Sequence, residues 1–355
     1  HVLMGEISLE ELQLATRNHG MPLEALRYDV TPVGLHYLLI HYDIPAVDPE
    51  SWTLTVEGRV ARPLRLTLAN LRARASVELT ATMECAGNGR ARLDPRPVSQ
   101  PWLNEAVGTA RWRGVSLAGL LEEAGPLDDA TEVVFTGLDR GVEKAIEQRF
   151  QRSVPLEEAL AGDSLLAYEM NGVLLPPQHG FPLRLVVPGW YGMTNVKWLE
   201  SIEVVDRPFD GFQQASSYRF KVDEDDEGRP LTRMLPRALM LPPGIPEFLS
   251  RERTLPLGEV RLEGRAWSGL APVAGVELSD DAGKTWTEAE LGDDGAGRWA
   301  WRPWTSTWSP RAAGSYTLCC RARDAAGNVQ PVEPEWNVGG YANNSVHRVV
   351  VAVTE

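Results

Sequence analysis

One cysteine stands in the run Thr82-Met83-Glu84-Cys85-Ala86-Gly87-Asn88-Gly89-Arg90. The residues before it, Val77 to Met83, read as a strand. A thiolate is thus set at the end of a β-type run. Small residues follow it and let backbone approach something bulky, and an arginine comes five positions on. That neighbourhood prepares Cys85 for a metal rather than for a core. No partner cysteine or histidine lies at zinc-ribbon spacing. His19, His36, His41, His179 and His347 lack metal-ligand spacing too. Cys319 and Cys320 are neighbours in a strand pattern, so they point to opposite faces and read as small packing residues. Three cysteines make no disulfide framework for a chain of this size.

A second set runs Pro176-Pro177-Gln178-His179-Gly180-Phe181-Pro182-Leu183-Arg184, then Pro188-Gly189, then Val196-Lys197-Trp198. Histidine, arginine and lysine beside glycines and prolines at strand edges can cradle a phosphate and a polar heterocycle. Taken alone, the same residues also read as turns capped by polar side chains. Of 35 basic residues only four are lysines, so each lysine is informative. Lys197 falls in an apolar strand pattern, where a buried anionic partner is expected. Dinucleotide, P-loop and catalytic-serine motifs are absent from the sequence.

The elements that must position these residues are short and mixed. Ser8-Leu9-Glu10-Glu11 is a capping box opening a helix that fades by Gly20. Helices are expected over Leu68 to Arg74, Leu117 to Ala124, and from Pro155 to Gly162. Strands are expected over Trp52 to Val56, Glu132 to Leu138, Leu183 to Val187 and Val196 to Val205. Leu165 to Met170, Asn171-Gly172 and Val173 to Leu175 spell a hairpin with a type I′ turn. No regular βαβ rhythm appears, so the class is α+β. Six prolines between Gly228 and Gly258 mark a linker or an extended wrap. Beyond it about 100 residues alternate short strands and turns, as in a β-sandwich of immunoglobulin type. Seven of twelve tryptophans fall there and read as core and interface material. The organisation is therefore residues 1–235 as a cofactor and catalytic domain and residues 236–355 as an immunoglobulin-like dimerisation domain.

Bulk numbers bound the function. With 355 residues, 43% apolar and 24% charged, the chain suits two folded domains. Its net charge of −14 excludes a basic nucleic-acid footprint. No apolar run of about 18 residues occurs, so no membrane span is expected. Asp223-Glu224-Asp225-Asp226-Glu227 reads as a solvated loop, with a docking patch for a basic redox partner as the sharper alternative. The sequence opens on His1, so an export signal would not be legible. A soluble protein is expected, cytoplasmic ahead of periplasmic.

The strings together resemble the sulfite oxidase family of molybdenum-cofactor (molybdopterin) oxidoreductases, which also holds the core of eukaryotic nitrate reductase. The matching strings are Cys85-Ala86-Gly87-Asn88, Thr109-Ala110-Arg111-Trp112, Leu166 to Gly172, His179-Gly180-Phe181-Pro182, Val187-Pro188-Gly189 and Val196-Lys197-Trp198-Leu199. Gly283-Lys284-Thr285-Trp286, Asn328-Val329-Gln330-Pro331 and His347-Arg348-Val349 extend the likeness toward the end of the chain.

The resemblance implies a mixed α/β molybdopterin-binding domain followed by an all-β immunoglobulin-like domain that makes a homodimer. It implies that Cys85 is the one protein ligand to molybdenum, a metal whose two-electron cycling needs soft sulfur donors. By the same match His179, Arg184 and Lys197 hold the pterin and its phosphate, and Asp139 a pterin edge. His41 and Asp43 fall where the family has an Arg-Asn-His run beside the cofactor, so His41 replaces an arginine. Arg90 and Trp102 keep their places in the substrate pocket. The implied activity is oxygen-atom transfer at sulfur, sulfite to sulfate first. Reduction of an S-oxide, N-oxide or nitrate at the same centre is the alternative. The His-Pro-Gly-Gly string of a b5-type haem module is missing, and a flavin or nicotinamide module needs more residues. No haem, flavin or NAD is therefore expected in this chain, and electrons are expected to pass to an external carrier such as a cytochrome.

Departures from the family pattern cluster in the pocket. Phe209 in Phe209-Asp210-Gly211-Phe212 aligns with the family's tyrosine, and Gly339 with an arginine. Each charge-assisted hydrogen bond lost to an anion costs about 1.5–3 kcal/mol. Arg111, Arg219 or Arg92 are the candidate substitutes for the guanidinium groups. Tyr42, Tyr191 or Tyr218 are the candidates for the phenol. Gly339→Arg, with or without His41→Arg, is expected to raise sulfite affinity.

Overall fold

A computed structural model describes residues 7–355. The mixed character expected from the sequence is present, with sheet far outweighing helix. Helices are short: Leu9–Ala15, Leu68–Arg72, Leu117–Ala124, Leu156–Leu160 and Phe212–Ala215. The first is opened by the Ser8/Glu11 capping box, and Glu11 also pairs with Arg96. Leu117–Ala124 buries Leu117, Leu120, Leu121 and Ala124, and Gly125 ends it at φ +69°.

Two sheets build the first part of the chain. One orders Leu64–Thr67, Thr53–Gly58, Leu199–Val205, Glu132–Glu143 and Ile146–Pro155. The other runs Val77–Glu84, Val107–Ser116, Leu165–Met170 and Val173–Leu174, with Arg184–Val186 beside Leu165–Met170. Asn171 at φ +55° and Gly172 at φ +82° close the hairpin between two of these strands. The strand Glu132–Glu143 runs five residues past the expected end at Leu138, because Ile146–Pro155 pairs with its far half.

The proline-rich stretch is not merely a linker. Arg237–Met240, lying between Pro236 and Pro242, is a fully buried strand paired with Val260–Trp267. Prolines flank this strand without entering it, so its ladder is intact. With Arg302–Trp308 and Glu290–Leu291 it makes a four-stranded sheet. A six-stranded sheet orders Ile245–Pro246, Arg253–Pro256, His347–Thr354, Gly314–Asp324, Val273–Ser279 and Thr287–Glu288. One apolar cluster draws on both sheets, including Met240, Leu262, Trp304, Val276, Leu318 and Val351. Cys320 packs into that cluster, while Cys319, one residue away, lies outside it; both are buried free thiols.

The tryptophans divide their work. Trp304 and Trp308 fill the core between the two later sheets, but Trp267 and Trp301 join the core of the first part of the chain. Trp301 Nε1 donates to Asp29 O at 2.8 Å, and Trp336 Nε1 to Pro95 O at 2.8 Å. The aromatic excess therefore locks the two parts of one chain together as well as filling one core. The acidic run is a surface turn. Asp223 Oδ1 accepts from the N–H groups of Asp225 and Asp226, and Asp226 accepts from Val222 and Gly228.

Candidate active site

Cys85 follows directly on the strand Val77–Glu84, whose last residue pairs with Val107. Its N–H donates to Ala106 O at 2.9 Å, and Asn88 N–H donates back to Cys85 O at 2.9 Å. The small residues after it serve close approaches within the protein. A Cβ on Gly87 would meet the Arg90 guanidinium at 2.7 Å. Gly89, at φ +90°, lies where a Cβ would be 2.8 Å from Asn343 O. Arg90 thus folds back over the turn, and the loop before His347–Thr354 packs against it through Gly340 and Asn343.

The loop is anchored by a buried network. Asn88 Nδ2 donates to Glu84 Oε1 at 3.0 Å, and Asn88 Oδ1 accepts from Ala106 N. Glu84 also pairs with Arg237 Nε at 2.7 Å and accepts from Trp267 Nε1 at 2.9 Å. The residue before the cysteine is therefore held by two residues of the later sheets, fixing the thiol with little freedom.

Two adjoining cavities share Leu39, His41, Cys85 and Tyr218 as lining residues. The inner cavity is also lined by His36, Asp139, His179, Arg184, Asn195 and Lys197. The outer cavity takes Arg90, Gln100, Trp102, Gln213 and Tyr341. Burial pushes the Cys85 thiol up, against Arg90, the Gly87 N–H and the Trp102 indole, which favour its ionised form. A buried thiol with three such neighbours is arranged to lose its proton when a cation arrives.

Strand ends position the inner set. Gly180, at φ +107°, packs between the Cβ atoms of Lys197 and Arg184. Arg184 opens the strand Arg184–Val186, and its Nη1 donates to His179 O at 3.1 Å and its Nη2 to Asn195 O at 3.2 Å. Lys197 precedes Trp198, which sits at φ +50°, and Lys197 Nζ reaches Leu39 O at 2.8 Å and Gln178 O at 3.1 Å. Burial lowers Lys197 to about 7 and raises Asp139 to about 6, although the two attract each other. Burial takes His179 down to about 2 and His36 to about 4, so both rings are neutral at ordinary pH.

Several sequence-based assignments move. Asp43 is exposed, caps Ile44 N–H at 2.8 Å and lines neither cavity. The sequence placed it on the cofactor, but the chain leaves the cavity after Tyr42. Phe209 also lines neither cavity; its N–H donates to Glu132 Oε2 at 3.1 Å. The phenol at the shared wall is Tyr218, hydrogen-bonded to His41 Nε2. Tyr42 is turned to Glu143 and Gln213, and the Tyr191 hydroxyl to Leu235 N. None of the three candidate substitute arginines reaches the cavities. Arg111 is half exposed near Glu78, Arg219 holds the carbonyls of Glu227 and Gly228, and Arg92 lines a separate recess. Gly339 offers its carbonyl to Arg90 Nε at 2.9 Å, and Tyr341 occupies the space a side chain would need. Sequence reading also passed over His36 and Asn195. Neither lies in a recognisable spacing, and only the fold brings them to the inner cavity.

The whole chain and its parts have known counterparts. Residues 41–213 match the oxidoreductase molybdopterin binding domain, and residues 241–354 the Mo-co oxidoreductase dimerisation domain. Sulfite oxidase of Gallus gallus is 39% identical over 336 residues, covering 90% of this chain and 72% of that protein. Mitochondrial sulfite oxidase of Rattus norvegicus is 36% identical over 341 residues, covering 91% of this chain and 62% of that one. The chain thus spans roughly two thirds of the length of these relatives. The crystal structure of the sulfane dehydrogenase SoxCD from Paracoccus pantotrophus superposes with a TM-score of 0.81 at 25% identity, covering 100% of this chain and 90% of that one. Two matched domains in order, relatives aligned over nine tenths of the chain and one solved structure agree: this chain belongs to the sulfite oxidase family of molybdopterin-dependent oxidoreductases.

Proposed function

We propose that this chain oxidises sulfite to sulfate and passes the electrons to an external carrier such as a cytochrome. The observation that carries the reading is the placing of one buried thiol, Cys85, on the wall shared by a basic inner cavity and an outer cavity containing Arg90. The residues fit a pterin cofactor. Asp139 Oδ1, His36 Nε2 and Arg184 Nε are buried polar atoms without hydrogen-bond partners among the described residues. The thiol suits a redox-active metal that favours sulfur, and no cluster of three or more His, Cys, Asp or Glu competes for one among the described residues.

In this reading Cys85 ligates molybdenum. Lys197, Arg184 and His179 hold the pterin and its phosphate, and Asp139 accepts from a pterin edge. When bound, the cofactor supplies two-electron chemistry at sulfur. The chain's own residues bind and orient the anion in the outer cavity. Arg90, whose Nη1 donates to Gln100 O at 3.1 Å, is fixed there as a cation. Trp102 is buried on the wall of the outer cavity with its indole N–H turned to the Cys85 thiol. Burial holds His41 neutral, down at about 3, and keeps the Tyr218 hydroxyl protonated. With an anion bound, the tautomer carrying the proton on His41 Nε2 leaves the phenol free to donate to it. Phe150, stacked on His41 at 4.7 Å between ring centroids, holds that imidazole in place and excludes water.

The later sheets are proposed to form an immunoglobulin-like sandwich from about residue 236. That unit would place two copies in a homodimer. No helix among the described residues is long and apolar enough to cross a membrane.

The test is sulfite-dependent reduction of cytochrome c by protein from a molybdate-fed host, with metal analysis alongside. Saturation at low micromolar sulfite with about one molybdenum per chain is expected by the single-site chemistry. Turnover of an S-oxide, N-oxide or nitrate by reduced enzyme, without sulfite oxidation, would instead assign the reductase activity. A second expectation reverses the one drawn from sequence. A Cβ at Gly339 would lie 2.3 Å from the Tyr341 ring. Gly339→Arg is therefore expected to lower sulfite affinity and stability by displacing Tyr341. Combining it with Tyr341→Gly should recover folding, as a thermal melt beside the sulfite KM would show.

A further inference from the structure

Among the described residues six arginines are buried: Arg90, Arg152, Arg184, Arg237, Arg253 and Arg265. A buried guanidinium is costly unless a carboxylate accompanies it. Arg237 has Glu84, Arg253 has Glu24, and Arg265 has Asp29. Among the described residues Arg90, Arg152 and Arg184 have no such partner. Arg184 and Arg90 line the inner and outer cavities. Arg152 stands directly behind the wall of the outer one.

Arg152 lies on the strand Ile146–Pro155 and is 1% exposed. Its Nη1 donates to Gln213 O, and its Nε has no partner among the described residues. Its guanidinium carbon lies 5.6 Å from the centroid of the Tyr218 ring. Tyr218 packs at 5.4 Å on Tyr341, whose ring has the Arg90 guanidinium at 5.1 Å. Gln213, Tyr218, Tyr341 and Arg90 all face the outer cavity with Cys85. Two phenol rings are thus held by two guanidinium groups that no carboxylate neutralises. Glu143, the carboxylate that also lines the outer cavity, accepts from the Tyr42 hydroxyl and makes no ion pair with either guanidinium. Burial brings Arg152 down only to about 10, so it stays charged at neutral pH.

We propose that Arg152 is a positioning residue for an anionic substrate, fixing the Tyr218 ring and supplying positive potential through the wall where His41 and Gly339 leave the cavity short of guanidinium groups. The inference rests on the oxyanion reading above and adds a residue that does not touch the substrate. A charge in a low-dielectric wall acts over several ångströms with little screening. Its removal should weaken oxyanion binding on the order of tenfold by that estimate.

The experiment uses molybdenum-loaded enzyme carrying Arg152→Gln, Arg152→Met or Arg152→Lys. Two quantities are read: sulfite KM against kcat, and the sulfate dissociation constant by titration calorimetry. Arg152→Met is included because buried charges tolerate exchange for an apolar chain of similar length. The neutral variants are expected to raise both KM and the sulfate Kd about tenfold, with kcat changed less than about threefold. Arg152→Lys should stay within about threefold of the wild type in both. Neutral variants that bind sulfate like the wild type overturn the inference. So does failure of both to fold while Arg152→Lys folds, since the charge is then structural. If the wild type binds sulfate through Arg152 but does not oxidise sulfite, the activity assigned above fails and this inference stands. If the wild type oxidises sulfite and the neutral variants match it in both quantities, the reverse holds.

Discussion

Cys85→Ser is expected to lose turnover by at least roughly a hundredfold, more than substitutions around a metal ligand typically cost. The fold should survive. Cys85 is 6% exposed, its backbone is tied to Ala106 and Asn88, and serine differs by one atom. The hydroxyl also finds the Trp102 N–H and the Arg90 charge as neighbours. What serine lacks is a soft, ionisable sulfur, and its oxygen is a harder donor that keeps its proton. Three measurements check this together. The circular dichroism spectrum should be unchanged, the thiolate-to-molybdenum absorption should disappear, and sulfite turnover should fall. An active serine variant that keeps the visible band would mean that the metal is not on this sulfur.

Lys197→Met should give the second large effect, on two readouts. The lysine is buried against Trp198, with its ammonium 4.3 Å from the ring centroid, and burial depresses it from 10.5 to about 7. In the unfolded chain it titrates near the ordinary value. Between those two pH values the unfolded chain binds more protons, so the stability of cofactor-free protein rises with pH across that window. Below pH 7 the whole penalty is present. Methionine removes that pH-dependent penalty but also the hydrogen bonds to Leu39 O and Gln178 O and the charge facing Asp139, so relative to the wild type the variant should fare best at pH 6. Its relative stability should fall toward pH 10. The same variant should retain less cofactor, because the cation proposed to meet the phosphate is gone. Thermal melts of cofactor-free protein at several pH values give the first result, and molybdenum content after purification gives the second. Equal melting at every pH, with full cofactor retention, would remove Lys197 from the site.

Much of the fold could be read along the chain because its signals are local. The capping box at Ser8, the helix Leu117–Ala124 and the hairpin at Asn171-Gly172 each depend on residues within a turn or two. Arg237–Met240 was hidden because its neighbours in sequence are prolines, while its reason to be a strand is Val260–Trp267 and the core beneath. The far half of Glu132–Glu143 was hidden for the same reason. The tryptophans could be recognised as packing residues, yet nothing in their spacing told which of two cores each would enter.

The sequence by itself determined the chemistry on offer: one unpartnered cysteine after a strand, a scarce lysine in an apolar run, and a histidine and an arginine at glycine-rich strand edges. Those features are properties of residue type and near neighbours, so a linear reading reaches them. Only the tertiary structure decided which phenol meets His41, a contact spanning 177 positions, and that Tyr341 rather than a side chain from position 339 lies under Arg90. It alone brought Asp139 beside Lys197 and left Arg152 buried without a carboxylate. Such outcomes are set by burial and by which strands become neighbours, and these depend on the packing of the whole chain rather than on any short stretch of it.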